Sequence, residues 1–297
     1  MLAGVPRRAG GIAPAKATVR NALVFSGVRP GSSEGSRRED RCFLEDERLL
    51  RRLRAEVSAI VTQAVGAIPD FAPAGALGCI ERHVEEFFSV YESRPIQDNA
   101  GGSRFNDSLW LFLLARLFSP CLIMESGTYK GHSSWIFHRA CPAAEIHSFD
   151  VDSSQLAYRV PTVRYHQGDW TEEAFPALDG KRALAYFDDH ISQAQRVGEA
   201  YLRGFRWLIF DDNFPAHNLY ATGGPPVPTL AMITDPALTF GTEIRWQRHG
   251  RSHRYLYRKE DVAGAKDLID RYVVLPELAQ ITRYNPQSGL TIVKLVD

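Results

Sequence analysis

From Pro120 onward, the sequence repeats one pattern: a short apolar run, a turn, and then a segment with apolar residues at helical spacing. The apolar runs lie at 121–125, 145–152, 162–170, 183–189 and 206–212, and the helical segments at 134–141 and 192–204. Short apolar runs are typical of strands buried on both faces, and strands alternating with helices form parallel sheets. The pattern therefore predicts an α/β fold with a doubly wound, mostly parallel sheet and helices on both faces.

The rest of the chain divides into three parts. Residues 1–40 are predicted to be a disordered or leader segment, since residues 1–33 contain no Asp or Glu but several Arg, Gly and Pro residues. A transit peptide would have the same composition, and both interpretations stay open. Residues 41–95 predict an N-terminal helical extension, with helices at 44–67 and 76–91. Residues 96–297 predict the Rossmann-like domain itself, starting with a buried helix at 108–118.

The C-terminal third has a less regular pattern. A Pro- and Gly-rich stretch at 213–228, "NFPAHNLYATGGPPVP", is long enough to be an insertion that acts as a lid or binding loop. The runs "EIRWQR" and "RYLYR" predict a hairpin around His249 and Gly250. The segment "DVAGAKDLIDRY" predicts a helix, and residues 289–296 predict a closing strand.

Composition argues against several classes of function. Lys plus Arg and Asp plus Glu both number 35, so no net field attracts nucleic acid or an acidic membrane. The basic run 245–258 leaves RNA open as a partner, although alternating strand residues explain it equally well. No apolar run approaches the roughly 18–20 residues of a membrane span. The four cysteines are widely spaced, which indicates neither zinc nor disulfides and favours the cytoplasm. An organelle stays open if residues 1–40 are a transit peptide.

Every predicted strand ends in an acidic side chain. In doubly wound sheets, ligands bind beyond the carboxyl ends of the strands, at the point where the strand order reverses. Several buried carboxylates near one another are costly unless cations or hydrogen-bond donors accompany them. The sequence therefore predicts a ligand or cation site at this edge of the sheet. In strand order, the acids are Glu125, Asp150, Asp169, then Asp188 with Asp189, and finally Asp211 with Asp212.

The turn after the first strand, "ESGTYKG", resembles a cofactor-binding loop without the middle glycine of a dinucleotide motif. Gly127 and Gly131 would let a ligand approach the backbone, and Glu125 would accept a hydrogen bond from an ammonium group. Asp150, about 20 residues on, suits ribose hydroxyls. This combination describes S-adenosylmethionine better than NAD.

Three more residues complete the predicted cofactor site. Arg104, in "DNAGGSR", could pair with the methionine carboxylate, although the stretch also suits an ordinary flexible linker. Asp169 could bond the adenine amino group. Trp170 could stack on adenine, or it could be a core residue.

The motifs "ESGTYKGHSSW", "SFDVD", "GDW" and the two "FDD" strands resemble class I S-adenosylmethionine-dependent O-methyltransferases. Macrocin-type sugar O-methyltransferases and cephalosporin-hydroxylase-like proteins are the most similar groups, over about residues 95–215. The resemblance implies methyl transfer to a hydroxyl of a sugar or small metabolite. It also implies a Mg²⁺ site at Asp189, Asp211 and Asp212. Successive strand residues face opposite ways, so Asp188 could replace Asp189.

The residues after the fourth predicted strand are also candidates for catalysis. Asp189 and His190 are the predicted catalytic residues, with His190 as general base because histidine titrates near neutral pH. His190 could instead cap the following helix. A nucleotide-sugar or NAD-binding enzyme, an iron enzyme using His190 and His217, and a non-catalytic binding module stay open. The N-terminal helices could form a homo-oligomer or cover the acceptor.

Overall fold

The computed structural model describes residues 47–178, 180–221, 224–248, 251–262 and 264–297. The prediction for residues 1–40 lies outside these ranges. The helices are α1 (Glu47–Gly66), α2 (Ile80–Glu92), α3 (Phe105–Phe118), α4 (His132–Ala140), α5 (Gln193–Leu202), α6 (Leu230–Thr234), α7 (Ala265–Leu268) and α8 (Ala279–Thr282). The strands are β1 (Leu122–Ser126), β2 (Glu145–Asp150), β3 (Arg164–Gln167), β4 (Ala183–Phe187), β5 (Trp207–Phe210), β6 (Glu243–Arg248), β7 (Arg251–Leu256), β8 (Ile269–Val274) and β9 (Thr291–Leu295).

Seven strands form one sheet in the order β3-β2-β1-β4-β5-β9-β8. Strands β1 to β5 pair in parallel, and β9 lies antiparallel to both β5 and β8. The chain builds outward from β1 to β3 and then crosses back to β4, so the order reverses between β1 and β4. This confirms the predicted Rossmann-like fold and places the switch point beside the glycine turn.

Alternate residues of each central strand enter two different hydrophobic cores. Leu184 and Tyr186 of β4 pack with α1 to α4 on one face. Ala185 and Phe187 pack with α5 and the C-terminal elements on the other face. All residues of β4 are buried, as expected for a parallel strand covered on both sides.

The N-terminal helices belong to the same core as the sheet. Val57 of α1 and Phe87 of α2 are fully buried within the cluster that also contains α3 and the inner residues of β1, β4 and β5. Phe71 lies between α1 and α2 in the chain. Its ring centroid is 5.2 Å from that of Phe118 and 5.3 Å from that of Trp207. The extension therefore covers one face of the sheet.

Several element boundaries differ from the prediction. Strands β2 to β5 end at 150, 167, 187 and 210, so the acids that follow the last three lie just beyond the sheet. The predicted helix at 261–272 was wrong for most of its length, because α7 ends at Leu268 and β8 continues as an edge strand paired with β9. The hairpin β6–β7 is confirmed, with its turn residues 249–250 outside the described ranges.

No helix in the described part of the chain has the length and apolar character that crossing a bilayer requires.

Candidate functional site

The acidic side chains that follow β4 and β5 meet at the switch point. Asp188 N donates to Ser126 O at 2.8 Å, and Asp211 N donates to Phe187 O at 2.9 Å, so the three strand ends stay in register. Asp107, from the first turn of α3, lies close enough to raise the pKa values of Asp188 and Asp211. We call Asp107, Asp188, Asp211 and Asp212 the acidic cluster.

The acidic cluster is electrostatically strained. Burial first, and then repulsion from the neighbouring carboxylates, raises the pKa values of Asp188 and Asp211 well above the ordinary range. Burial also raises the pKa of Asp107, although hydrogen bonds from Ser288 and Arg104 oppose the shift. A bound cation or retained protons would relieve this repulsion.

Asp188, His190 and Asp212 each offer a ligand atom, and these atoms all lie within 4.8 Å of one another. His190 Nδ1 lies 3.4 Å from Asp212 Oδ2. The same residues line a cavity of about 10 Å³, together with Asp189, Asp211 and Pro226. That volume is close to the minimum for one water molecule, so the space suits a single small ion. These three residues are the candidate metal site, and they are hereafter called the cation site.

The backbone at the cation site has an uncommon conformation. His190 and Asp212 have φ values of +57° and +53°, in the left-handed region that residues other than glycine seldom adopt. Such conformations persist where surrounding contacts hold them, and they concentrate at functional sites. Pro226, which belongs to the predicted lid at 213–228, accepts a hydrogen bond from Gln193 N at 3.2 Å. The loop thus reaches the cation site, with residues 222–223 outside the described ranges.

Asp189 pairs with Arg196 and is not one of the three residues of the cation site, and its predicted roles as metal ligand and catalytic residue stay predictions. Its Oδ2 accepts hydrogen bonds from Ser126 Oγ at 2.6 Å and from Arg196 Nε at 2.8 Å. The Arg196 side chain is only 2% exposed and forms ion pairs with Asp169 and Asp189. Adjacent residues of an extended chain point in opposite directions, and Asp188 therefore takes the place at the cation site.

Asp169 forms an ion pair inside the fold, and Trp170 takes the second of its two predicted places, the core. Asp169 accepts hydrogen bonds from Arg196 at 2.6 Å and from Thr171 Oγ1 at 2.6 Å. Burial alone would raise the pKa of Asp169, but these bonds lower it to about 2. Trp170 is fully buried, and its ring centroid lies 5.6 Å from that of Phe187 and 6.0 Å from that of Phe205. Trp170 is thus a core residue with no open face for stacking, and Asp169 holds Arg196.

Glu125 is fully buried beneath the glycine turn. Its Oε2 accepts hydrogen bonds from Ser134 Oγ and, at 2.5 Å, from Ser148 Oγ. Burial raises the pKa of this carboxyl group. A hydrogen bond from the Ser133 side chain opposes this shift, and the predicted contact with a cofactor's ammonium group stays a prediction.

Backbone atoms of neighbouring segments lie so close to Gly127 and Gly131 that neither position has room for a side chain. A Cβ on Gly127 would lie 2.3 Å from Asp188 O, and one on Gly131 would lie 2.3 Å from Tyr158 O. Both residues have positive φ values, +103° and +90°. The first glycine thus lets the β1 and β4 strand ends approach each other, and the second lets the loop after β2 cover the turn.

Asp150 borders a larger cavity of about 120 Å³ at the ends of β1, β2 and β3. Its Oδ2 accepts a hydrogen bond from Tyr129 N at 2.8 Å, which ties β2 to the glycine turn. Its Oδ1 accepts one from Asp152 N at 3.0 Å. Tyr129, Ser153 and Gln167 also line the cavity. A carboxylate has about four acceptor positions, so Asp150 can still accept bonds from ligand hydroxyls.

The loop 98–104 connects the glycine turn with the acidic cluster. Tyr129 Oη donates to Ala100 O at 3.1 Å, and at its other end Ser103 Oγ lies 3.4 Å from Tyr186 Oη. Tyr186 in turn donates to Asp211 Oδ2 at 3.4 Å. Arg104, the last residue before α3, donates its backbone N–H to Asp107 Oδ2 at 3.1 Å. The predicted contact between Arg104 and a cofactor carboxylate stays a prediction.

Sequence reasoning missed Asp107, Tyr186 and Arg196. Asp107 resembles the polar start of a buried helix, and 81 positions separate it from Asp188. Tyr186 is an ordinary residue of an apolar strand, and Arg196 resembles a solvated helix residue. Only the tertiary packing brings them to the strand ends.

The sequence matches no protein-family model and no curated protein sequence. Solved structures with a similar layout include a Podospora anserina methyltransferase, PaMTH1, with bound SAH. The identity is 18%, the match covers 92% of this chain and 100% of that one, and the TM-score is 0.42. The O-methyltransferase TomG from Streptomyces achromogenes, in complex with SAM, is 14% identical over 82% of this chain and 96% of that one, with a TM-score of 0.42.

A third structure, described as cmcI-D160 with Mg and SAM, is 15% identical over 63% of this chain and 69% of that one, with a TM-score of 0.35. All three scores are low. The roles of individual residues therefore rest on the geometry of this chain alone.

Proposed function

We propose that this protein transfers the methyl group of S-adenosylmethionine to a hydroxyl group of a sugar or another small metabolite, assisted by a divalent cation such as Mg²⁺. The observation that carries the proposal is the cation site, where Asp188, His190 and Asp212 offer ligand atoms within 4.8 Å of one another. It lies at the switch point of the sheet, and the cavity beside Asp150 lies at the same edge.

The residues present fit both groups. Asp150 would accept the ribose hydroxyls of the cofactor, and the glycine turn would approach its amino-acid part. Asp188 and Asp212 are hard oxygen ligands of the kind that Mg²⁺ uses, with water and substrate completing its coordination. Asp211 lines the same cavity and accepts a hydrogen bond from Asp212 N at 2.8 Å. The cation, when bound, lowers the pKa of the acceptor hydroxyl.

The proposed reaction needs one proton transfer and one methyl transfer. His190, whose Nδ1 lies 3.4 Å from Asp212 Oδ2, would either be a ligand of the cation or, where Asp188 and Asp212 alone hold the cation, be the general base that accepts the proton of the acceptor hydroxyl. The hydroxyl oxygen attacks the sulfonium methyl carbon, the C–S bond breaks, and the electron pair stays on sulfur as S-adenosylhomocysteine. An iron centre with two histidines has less support, because the candidate metal group in the described chain contains His190 and no second histidine.

Calorimetric titration with S-adenosylmethionine and with Mg²⁺ tests the proposal. We expect Asp150→Ala to lose cofactor binding. Asp188→Asn should lose cation binding, whereas Asp189→Asn is the matched control. Asp189 is its direct neighbour but pairs with Arg196, so this variant should keep cation binding. Folded wild-type protein that binds no S-adenosylmethionine would refute the methyltransferase assignment, and equal loss in Asp188→Asn and Asp189→Asn would refute the cation site.

A further inference from the structure

The first turn of α3 is fastened to the segment that precedes β9. Asp107, only 3% exposed, accepts hydrogen bonds on Oδ1 from Ser288 N at 2.8 Å and from Ser288 Oγ at 2.9 Å. Its neighbour Asn106 donates to Asn285 O at 2.6 Å. These bonds join parts of the chain about 180 residues apart, and they fix residues 285–288 against the helix.

Ser288 also contacts the backbone of the cation site. Ser288 O accepts the hydrogen bond from Asp212 N at 2.8 Å, so a single residue links Asp107 to Asp212. Asp212 needs such support, because its φ of +53° is unfavourable for a residue with a side chain. If Ser288 moved, the backbone that aims the Asp212 carboxylate at Asp188 and His190 would lose a main restraint.

The next residues tighten the connection. Gly289 has a φ of +77°, and a Cβ there would lie 3.3 Å from Asn213 O, so this segment packs directly on the chain after Asp212. Asn213 Nδ2 also donates to Thr291 Oγ1 at 2.9 Å, at the start of β9. The position of residues 288–291 therefore determines the course of residues 212–213.

We propose that Asp107 is a positioning residue for the cation site: through Ser288, it holds the Asp212 backbone in the conformation that completes the ligand set with Asp188 and His190. This inference rests on the proposed function, since it assumes that the site binds a divalent cation. Two other roles are possible for a buried carboxylate at this position. Asp107 could act only through its negative charge, or it could only stabilise the fold.

Three variants separate these roles. Asp107→Ala removes both the charge and the bonds to Ser288. Asp107→Asn removes the charge but keeps an oxygen that can accept from Ser288. Glu277→Gln is the matched control, because Glu277 is another carboxylate that accepts a hydrogen bond from this segment, from Gln287 N, as well as one from Ala279 N of α8. In the described chain it forms no hydrogen bond with Ser288.

The measurement is the Kd for Mn²⁺, by electron paramagnetic resonance of free Mn²⁺, with the Kd for S-adenosylmethionine and the Tm of each variant. Loss of a residue that orients a metal ligand typically weakens metal binding about 10- to 100-fold. We expect Asp107→Ala to weaken Mn²⁺ binding about tenfold, and Asp107→Asn and Glu277→Gln to stay within about twofold of wild type. Cofactor binding should persist in all three.

Each other outcome overturns the inference. Equal weakening in Asp107→Ala and Asp107→Asn would assign the effect to charge, and a lower Tm with unchanged Mn²⁺ affinity would assign it to the fold. If Asp107→Ala does not fold, Ser288→Ala replaces it: it keeps the charge, removes the Oγ bond and should still weaken Mn²⁺ binding. Wild-type protein that binds neither Mn²⁺ nor S-adenosylmethionine would instead refute the proposed function.

Discussion

Two adjacent aspartates at the end of β4 face opposite electrostatic environments. Asp189 faces Arg196, whose guanidinium group also pairs with Asp169 and Glu199. Asp188 faces other carboxylates, and burial with their repulsion raises its pKa. The repeated Asp-Asp sequence is thus not a simple duplication of ligands, because Asp189 of the first pair forms an ion pair with Arg196 whereas Asp188 belongs to the candidate site.

The ion pair between Asp169 and Arg196 predicts a specific response to acid. The pKa of Asp169 is about 2 in the folded protein against an ordinary value of 3.8. A depressed folded-state pKa stabilises the protein above about pH 4, and this contribution disappears as the pH falls toward 2. We therefore expect Asp169→Asn to be less stable than wild type at pH 6, with the difference shrinking to near zero by pH 2.

Urea unfolding of wild type and Asp169→Asn at several pH values between 6 and 2 measures this difference. The variant must keep a native circular dichroism spectrum at pH 6 for the comparison to apply. A stability difference that stays constant across this pH range would contradict the prediction, since it would assign the effect to packing alone.

At the level of elements, the local sequence pattern predicted the central strands correctly. Buried parallel strands have short apolar runs, so β1, β4 and β5 were predicted within a residue or two. The segment at 261–272 shows the limit, because its helical spacing is overridden when β8 gains a partner in β9. Asp150 lies beside a cavity, whereas Trp170 lies in the core, which is one of the two places predicted for it. Which way a side chain faces after a strand depends on packing that one sequence does not reveal.

The N-terminal helices offer a test at this scale. Phe71 lies between α1 and α2, is fully buried, and contacts the rings of Phe118 in α3 and Trp207 in β5. Truncating a buried Phe to Ala typically costs about 3–5 kcal/mol. We expect Phe71→Ala to lower the free energy of unfolding by about this amount, with one transition by both far-UV circular dichroism and tryptophan fluorescence. Two separate transitions in wild type would show that the extension folds independently of the sheet.

At the level of the whole molecule, the net charge is zero but the charges are unevenly distributed. The acidic cluster gathers carboxylates at one sheet edge, whereas the outer face of the β6–β7 hairpin sets Arg245 directly opposite Arg254. Like charges opposite each other in a ribbon are destabilising. Uneven charge of this kind makes stability depend on bound ions more than net charge suggests.

This uneven distribution leads to a prediction for the intact protein. A cation that binds only the folded state stabilises it by an amount set by its concentration relative to Kd, about 2.7 kcal/mol at 100 times Kd. For a domain of 150–250 residues, each kcal/mol shifts Tm by about 2–4 °C. Saturating Mn²⁺ or Mg²⁺ should therefore raise the Tm of wild type by several degrees, and a chelator should reverse the rise.

The controls separate site binding from general screening. NaCl at the same ionic strength should give little of the rise, since monovalent ions screen surface charges without bridging Asp188 and Asp212. Asp188→Asn should lose the rise in Tm with divalent cations, and its Tm without cations should equal or exceed that of wild type, because one repelling buried charge is gone. A rise that NaCl reproduces, or that Asp188→Asn retains, would place the stabilising ions on the protein surface instead of at the cation site.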